Sequence, residues 1–146
     1  MKYPRIRILL ADDQPGMLET VARLLEDEFD VIAAVANGES AIASAVRLAP
    51  DLLVLDISMP VLNGIEAAAR LNEAGSRAKV IFLTVNEDPV IAEAAFSIGA
   101  RGYVLKQRLA TDLIPAIRQA LQDRTFVSPS IYIGKKRRQQ PILALG

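Results

Sequence analysis

The feature that most constrains this chain is a four-residue apolar run ending in a carboxylate. Leu52-Leu53-Val54-Leu55 is followed at once by Asp56, and Ile57-Ser58-Met59-Pro60 then turns away. Short apolar runs bounded by turn residues fit strands buried on both faces. An acid at the last position of such a strand is costly unless it has a partner or a use.

The same grammar recurs along the chain. Arg5 to Ala11 reads as a first strand and stops at Asp12-Asp13; Gln14-Pro15 opens a helix with Leu18, Val21, Ala22 and Leu25 on one face. Val31 to Ala36 reads as a second strand, Asn37-Gly38 as a turn, and Glu39 to Ala49 as a helix closed by Pro50. After the Asp56 strand, a third helix is expected from about Ile65 to Ala74. Val80 to Leu83 reads as a strand ending in Thr84, and Asn86 can cap the helix that follows, with Pro89 in its first turn. Gly102 to Leu105 reads as a strand ending in Lys106, and Thr111 can cap a last helix with Leu113, Ala116, Ile117 and Ala120 on its face. Five strand–helix units in succession predict an α/β fold: right-handed crossovers and a parallel sheet covered on both faces. Ligands of such sheets bind beyond the carboxyl ends of the strands.

Those ends carry the polar residues. Asp12 and Asp13, Asp56, Thr84 and Lys106 all terminate strands and are expected on one rim. Singly each has an ordinary explanation; Asp12-Asp13 could simply cap a helix. Together they are complementary. Clustered carboxylates do not stay ionised cheaply. A hard divalent cation relieves them, and Mg²⁺ takes one or two carboxylates plus a phosphate oxygen. A lysine is a point charge suited to a phosphoryl group, and a threonine hydroxyl can donate to another of its oxygens. The set calls for a phosphoryl group, Mg²⁺ and a carboxylate nucleophile, hence an aspartyl phosphate.

Composition removes competitors. The chain has no cysteine and no histidine, which excludes disulfides, thiolate metal sites and histidine-dependent triads. No apolar run approaches the roughly 20 residues of a membrane span, and no secretory signal is present, so no membrane partner and a cytoplasmic location are expected. Net charge is zero but unevenly placed: up to Asp123 acids outnumber bases 17 to 12, and the five remaining bases follow. An acidic body argues against nucleic-acid binding by the main domain.

At this point the chain resembles the receiver domains of two-component response regulators. Asp12-Asp13, Asp56, Thr84 and Lys106 fall at the acid pair, phosphoacceptor, switch hydroxyl and lysine of that family, Asp56-Ile57-Ser58-Met59-Pro60 and Asn63-Gly64 match its loop pattern, and Tyr103 falls at its switch aromatic. Ala49-Pro50-Asp51, the run Gly99 to Lys106, and Val127-Ser128-Pro129 look like the NarL/LuxR-like branch. Gln14, where that branch often has histidine, and Gln107-Arg108 after the lysine depart from it. The resemblance implies a flavodoxin-like (CheY-like) (βα)5 doubly wound, five-stranded parallel sheet of order 2-1-3-4-5. It also implies Mg²⁺ held by Asp12, Asp13, Asp56 and the Ser58 backbone carbonyl. Asp56 would accept a phosphoryl group from a histidine kinase or phosphotransfer protein, with Lys106 and Thr84 assisting. Thr84 and Tyr103 would then switch the surface of helix four, strand five and helix five. A homodimer through that surface, or through helices one and five, is implied as well. The protein would catalyse only its own phosphorylation and dephosphorylation, so it would not be an enzyme in the turnover sense.

The receiver is expected over residues 1–123 and a linker or tail over 124–146, with the output domain absent from this chain. DNA would be reached only through such a domain. The basic run Lys135-Lys136-Arg137-Arg138 reads as solvated linker or as a non-specific nucleic-acid contact. Two other functions compete. One is a single-domain or pseudo-receiver acting only through protein contacts. The other is a magnesium-dependent phosphohydrolase; such enzymes commonly need an aspartate where Ser58 stands.

Overall fold

The structure, a computed structural model, describes residues 5–131; the Lys135–Arg138 run lies outside the described residues. The strands are β1 (Arg7–Ala11), β2 (Asp30–Val35), β3 (Leu52–Leu55), β4 (Lys79–Thr84), β5 (Gly102–Leu105) and β6 (Phe126–Val127). The helices are α1 (Pro15–Leu25), α2 (Gly38–Leu48), α3 (Gly64–Glu73), α4 (Pro89–Ser97) and α5 (Leu109–Leu121). A 3₁₀ turn, Lys106–Arg108, joins β5 to α5. All strand pairs are parallel and the order is β2-β1-β3-β4-β5-β6. The expected order 2-1-3-4-5 is present, and the short β6 extends it by one strand. Phe126 to Ile131 thus packs on the sheet beyond residue 123, with Ser128 and Ile131 buried.

The apolar runs are explained by two cores, one on each face of the sheet. Leu9, Leu53, Leu55, Phe82, Tyr103 and Leu105 point to one face, beneath Ala41 and Ala45 of α2, Ala68 and Leu71 of α3, and Ala92 and Ala95 of α4. Ile8, Leu10, Leu52, Val54, Ile81, Leu83 and Val104 point to the other, beneath Val21 and Leu25 of α1 and Leu113, Ala116, Ile117 and Ala120 of α5. Side chains alternate faces along a strand, so a strand covered on both sides must be apolar throughout.

Helix starts follow local chemistry. The side-chain oxygens of Asn37 and Asn63 accept from the backbone N–H of Ser40 and Glu66, each satisfying one orphan donor. At α4 the cap is Asp88, which accepts from Val90 N–H, while Asn86 accepts from Asp88 N–H and shapes the turn before it. The expected Thr111 cap is not used: the 3₁₀ turn leads into α5 at Leu109, and the Leu109 N–H donates to the Lys106 carbonyl. Pro115 lies inside α5 and forgoes the helical bond to the Thr111 carbonyl.

Helix α2 ends with Ala49 in the left-handed region, φ 48°, its N–H donating to the Ala45 carbonyl. That conformation costs a non-glycine residue about 1–2 kcal/mol, part of which glycine would lose again to its freer unfolded chain. Ala49→Gly is therefore expected to stabilise the fold by about 0.5 kcal/mol, seen as a higher urea midpoint at unchanged slope.

Candidate functional site

Strand order reverses between β1 and β3, and the crevice this leaves lies beyond the carboxyl ends of those two strands. Asp12 follows β1 and Asp56 follows β3. Each is tied to the sheet: Asp12 N–H donates to the Val35 carbonyl and Asp56 N–H to the Ala11 carbonyl. Both are buried, whereas Asp13 is exposed beside them. Carboxylate oxygens of Asp12, Asp13 and Asp56 lie within 4.8 Å of one another. Lys106, at the end of β5, reaches over from the other side. Its Nζ stands 2.7 Å from Asp12 Oδ2 and 3.1 Å from Asp56 Oδ2.

The electrostatics follow from burial and these pairs. Burial pushes the Asp56 carboxyl above its ordinary range; the hydrogen bond and charge of Lys106 oppose the shift without cancelling it, and Asp12 adds to it. Burial alone would lower Lys106, but its bonds to Asp12 and Asp56 outweigh that and raise it, so the ammonium stays charged. The other Asp12 oxygen, Oδ1, accepts from Gln14 N–H at 2.9 Å.

The loop after Asp56 is folded tightly against it. Gly64 N–H donates to the Ile57 carbonyl, and a Cβ on Gly64 would overlap the Asp56 carbonyl oxygen. Leu62 N–H donates back to the Pro60 carbonyl across Val61, which has φ 72° and is exposed. A β-branched residue in the left-handed region is strained, and here the strain lies five residues from the Asp56 carboxylate. Ser58 is exposed in the same loop.

Thr84 and Tyr103 are both fully buried. They meet at one backbone segment: Thr84 Oγ1 accepts from Asn86 N–H at 3.2 Å, and the Tyr103 hydroxyl donates to the Asn86 carbonyl at 2.7 Å. Tyr103 is therefore turned inward in this structure. Burial, with the charges of Asp88 and Asp56, pushes its phenol well above the ordinary range and keeps it a neutral donor. Asp12, Asp56 and Lys106 are joined directly, with Asp13 alongside; Thr84 and Tyr103 stand at the adjoining β4–α4 loop.

Two contacts near the rim were not legible in the sequence. Gln107 Nε2 donates to Glu87 Oε2 at 2.8 Å, joining the loops that follow β4 and β5. Asp112, on the first turns of α5, is buried and bonds Arg108 and Ser128. Its only sequence signal was an acid on an otherwise apolar helix face, beside Leu113 and Ala116.

This geometry agrees with comparison to known proteins. The profile of the response regulator receiver domain matches residues 8–118. The chain belongs to the response regulator receiver family. Its relatives include the transcriptional regulatory protein YvfU of Bacillus subtilis, 36% identical over 139 residues, covering 94% of this chain and 70% of YvfU. The nitrate/nitrite response regulator NarL of Escherichia coli is 32% identical over 126 residues, covering 85% of this chain and 58% of NarL. This receiver chain thus spans between 58% and 70% of the length of these two relatives. Among solved structures, a LuxR-family two-component response regulator from Aurantimonas superposes with TM-score 0.85 at 32% identity, covering 92% of this chain and 99% of that one. The isolated receiver domain of RcsB from Salmonella enterica, determined with the phosphomimetic BeF₃⁻, superposes with TM-score 0.80 at 26% identity, covering 87% and 96%. The NarL/LuxR-like placement and the CheY-like fold both follow from these relatives.

The acid cluster fits a hard cation. It offers only oxygen donors, one of them exposed, which leaves room for water. Oxygens around Mg²⁺ sit at about 2.1 Å, so opposite ligands stand about 4.2 Å apart. The observed spread of up to 4.8 Å needs only a small side-chain adjustment to match. Among the described residues no helix is long and apolar enough to cross a membrane.

Proposed function

We propose that this receiver domain is a phosphorylation-dependent switch in which Asp56 accepts a phosphoryl group from a histidine kinase or phosphotransfer protein. The observation that carries the reading is the triangle of Lys106 with Asp12 and Asp56, at 2.7 and 3.1 Å, beside the exposed Asp13. Asp12, Asp13, Asp56 and the Ser58 carbonyl would hold Mg²⁺. When bound, that ion supplies positive charge to the phosphoryl oxygens. One Asp56 oxygen is held by Lys106, and the other attacks phosphorus as the bond to the donor breaks. The donor leaves with its electron pair, and Lys106 turns its charge to the transferred group. Catalysis of this kind is positioning and charge neutralisation, so no side chain needs to act as a general base, and the absence of histidine costs nothing.

The readout surface is α4, β5 and α5. A phosphoryl oxygen draws Thr84 Oγ1 away from Asn86 N–H, and the Asn86 peptide also carries the Tyr103 hydroxyl bond, so the two side chains report to one loop. That face exposes Val85 and Val90, and α4 carries one charge, Glu93, which suits it to a second copy or to an output domain. We place the protein in the cytoplasm, acting as a switch and not as a turnover enzyme, with transcriptional control through any attached DNA-binding domain.

Incubation with Mg²⁺ and acetyl phosphate tests this. A hydroxylamine-labile phosphoryl group should map to Asp56 by mass spectrometry and be missing from Asp56→Asn. Wild-type protein that takes up no label above that variant would overturn the reading.

A further inference from the structure

Asp112 is an unusual residue for its position. It lies on the buried face of α5, between the sheet and the segment that follows the helix. A buried carboxylate is expensive unless its lone pairs are filled. Three donors fill them here: Ser128 Oγ at 2.8 Å and Arg108 Nε at 2.7 Å on Oδ2, and Arg108 Nη2 at 3.2 Å on Oδ1. Ser128 is itself fully buried, and its Oγ accepts from the Leu105 backbone N–H at 3.0 Å.

The consequence concerns Lys106. Leu105 precedes it and Arg108 ends the same 3₁₀ turn. One carboxylate therefore fixes the backbone before Lys106, through Ser128, and the turn after it, through Arg108. The ammonium that must stand between Asp12 and Asp56 is carried on a bracketed stretch of chain.

Half of that bracket comes from the segment after α5. Strand β6 has only two residues, and its short ladder to β5 is bounded by bonds from Phe126 N–H to the Arg101 carbonyl and from Ser128 N–H to the Tyr103 carbonyl. So short an edge strand holds weakly by its ladder alone. Its docking depends on the Ser128–Asp112 bond and on burial of Ile131, which belongs to the core layer that contains Tyr103.

We propose that Asp112, through Ser128 and Arg108, positions Lys106, and so couples occupancy of the phosphoryl site to docking of Phe126–Ile131. The proposal rests on Asp56 being the phosphoacceptor. Coupling is reciprocal: whatever the docked segment does for the phosphoryl site, an occupied site does for the docked segment. The segment leads toward any following domain, so the α5 side carries a second route out of the site, separate from Thr84 and Tyr103.

Beryllofluoride, with Mg²⁺, is the probe. Its affinity is measured on wild type, Ser128→Ala, Asp112→Asn and the double variant, and amide exchange at Leu105 and Ser128 is followed in wild type with and without it. Ser128→Ala should weaken beryllofluoride about five- to tenfold, while Mg²⁺ affinity alone does not fall, since the acids that hold the ion are untouched and a displaced ammonium competes with it less. The double variant should lose little more than Asp112→Asn, since both act through one network. In wild type the two amides should exchange more slowly by a similar factor when beryllofluoride is bound. Unchanged affinity in both single variants, or unchanged exchange at both amides in wild type, overturns the coupling while leaving the phosphoacceptor reading intact. If wild type binds no beryllofluoride, the phosphoacceptor reading fails and the coupling falls with it.

Discussion

Lys106→Ala should destabilise the protein by about 3 kcal/mol in metal-free buffer and slow phosphorylation by acetyl phosphate about a hundredfold. The reason is local. The Lys106 side chain is 7% exposed, and its two partners, Asp12 and Asp56, are 5% and 6% exposed. Removing the cation leaves two buried carboxylates facing each other without a counter-charge, and Asp56 is already pushed up by burial. Denaturant melts in EDTA measure the stability loss. Added Mg²⁺ should shrink the gap from wild type, because a ligand stabilises most the folded state that binds it most tightly. The variant should also bind Mg²⁺ more tightly than wild type, having lost the ammonium that competes for the same oxygens. A gap that did not narrow with Mg²⁺ would show that the cluster is not the cation site. The rate loss should persist at saturating Mg²⁺, since Lys106 then faces the phosphoryl group.

Gly64→Ala should cost about 3 kcal/mol and damage the site by a different route. The added methyl would overlap the Asp56 carbonyl oxygen, a backbone atom that cannot rotate aside. The same carbonyl belongs to the residue whose N–H is bonded to Ala11, so Asp56 is pinned from both directions. Either α3 moves away, losing Ala67, Ala68 and Leu71 from the core, or the end of β3 shifts and carries the carboxylate with it. A urea midpoint within error of wild type would contradict the close approach. Beryllofluoride affinity should fall as well, because a displacement of the nucleophile by an ångström is enough to cost about a hundredfold. Gly38, whose Cβ would overlap the Leu62 carbonyl, packs the far end of the same loop in the same way.

Much of this was readable in the chain because the physics is one-dimensional. A strand covered on both faces must be apolar at every position, so Leu52–Leu55 and Val80–Leu83 stood out. The polar residue that ends each such strand stood out for the same reason, and this located Asp12, Asp56, Thr84 and Lys106. Helix boundaries were less legible. Asn86 and Asp88 are both acceptable caps by type, and which one caps α4 depends on the path of the loop. Thr111 looked like a start because nothing local announces the 3₁₀ turn that already begins the helix.

By itself, then, the sequence determined the alternation of buried strands and amphipathic helices, and the residues that close each strand, Asp56 among them. Both rest on patterns between near neighbours. Tertiary structure alone decided the rest. It set Lys106 between Asp12 and Asp56 across 50 and more positions of chain, turned Tyr103 inward onto the Asn86 carbonyl, and added β6 beside β5. It also gave Asp112 its partners. A buried acid is tolerable only once distant donors have been folded against it, and no local pattern encodes where those donors will come from.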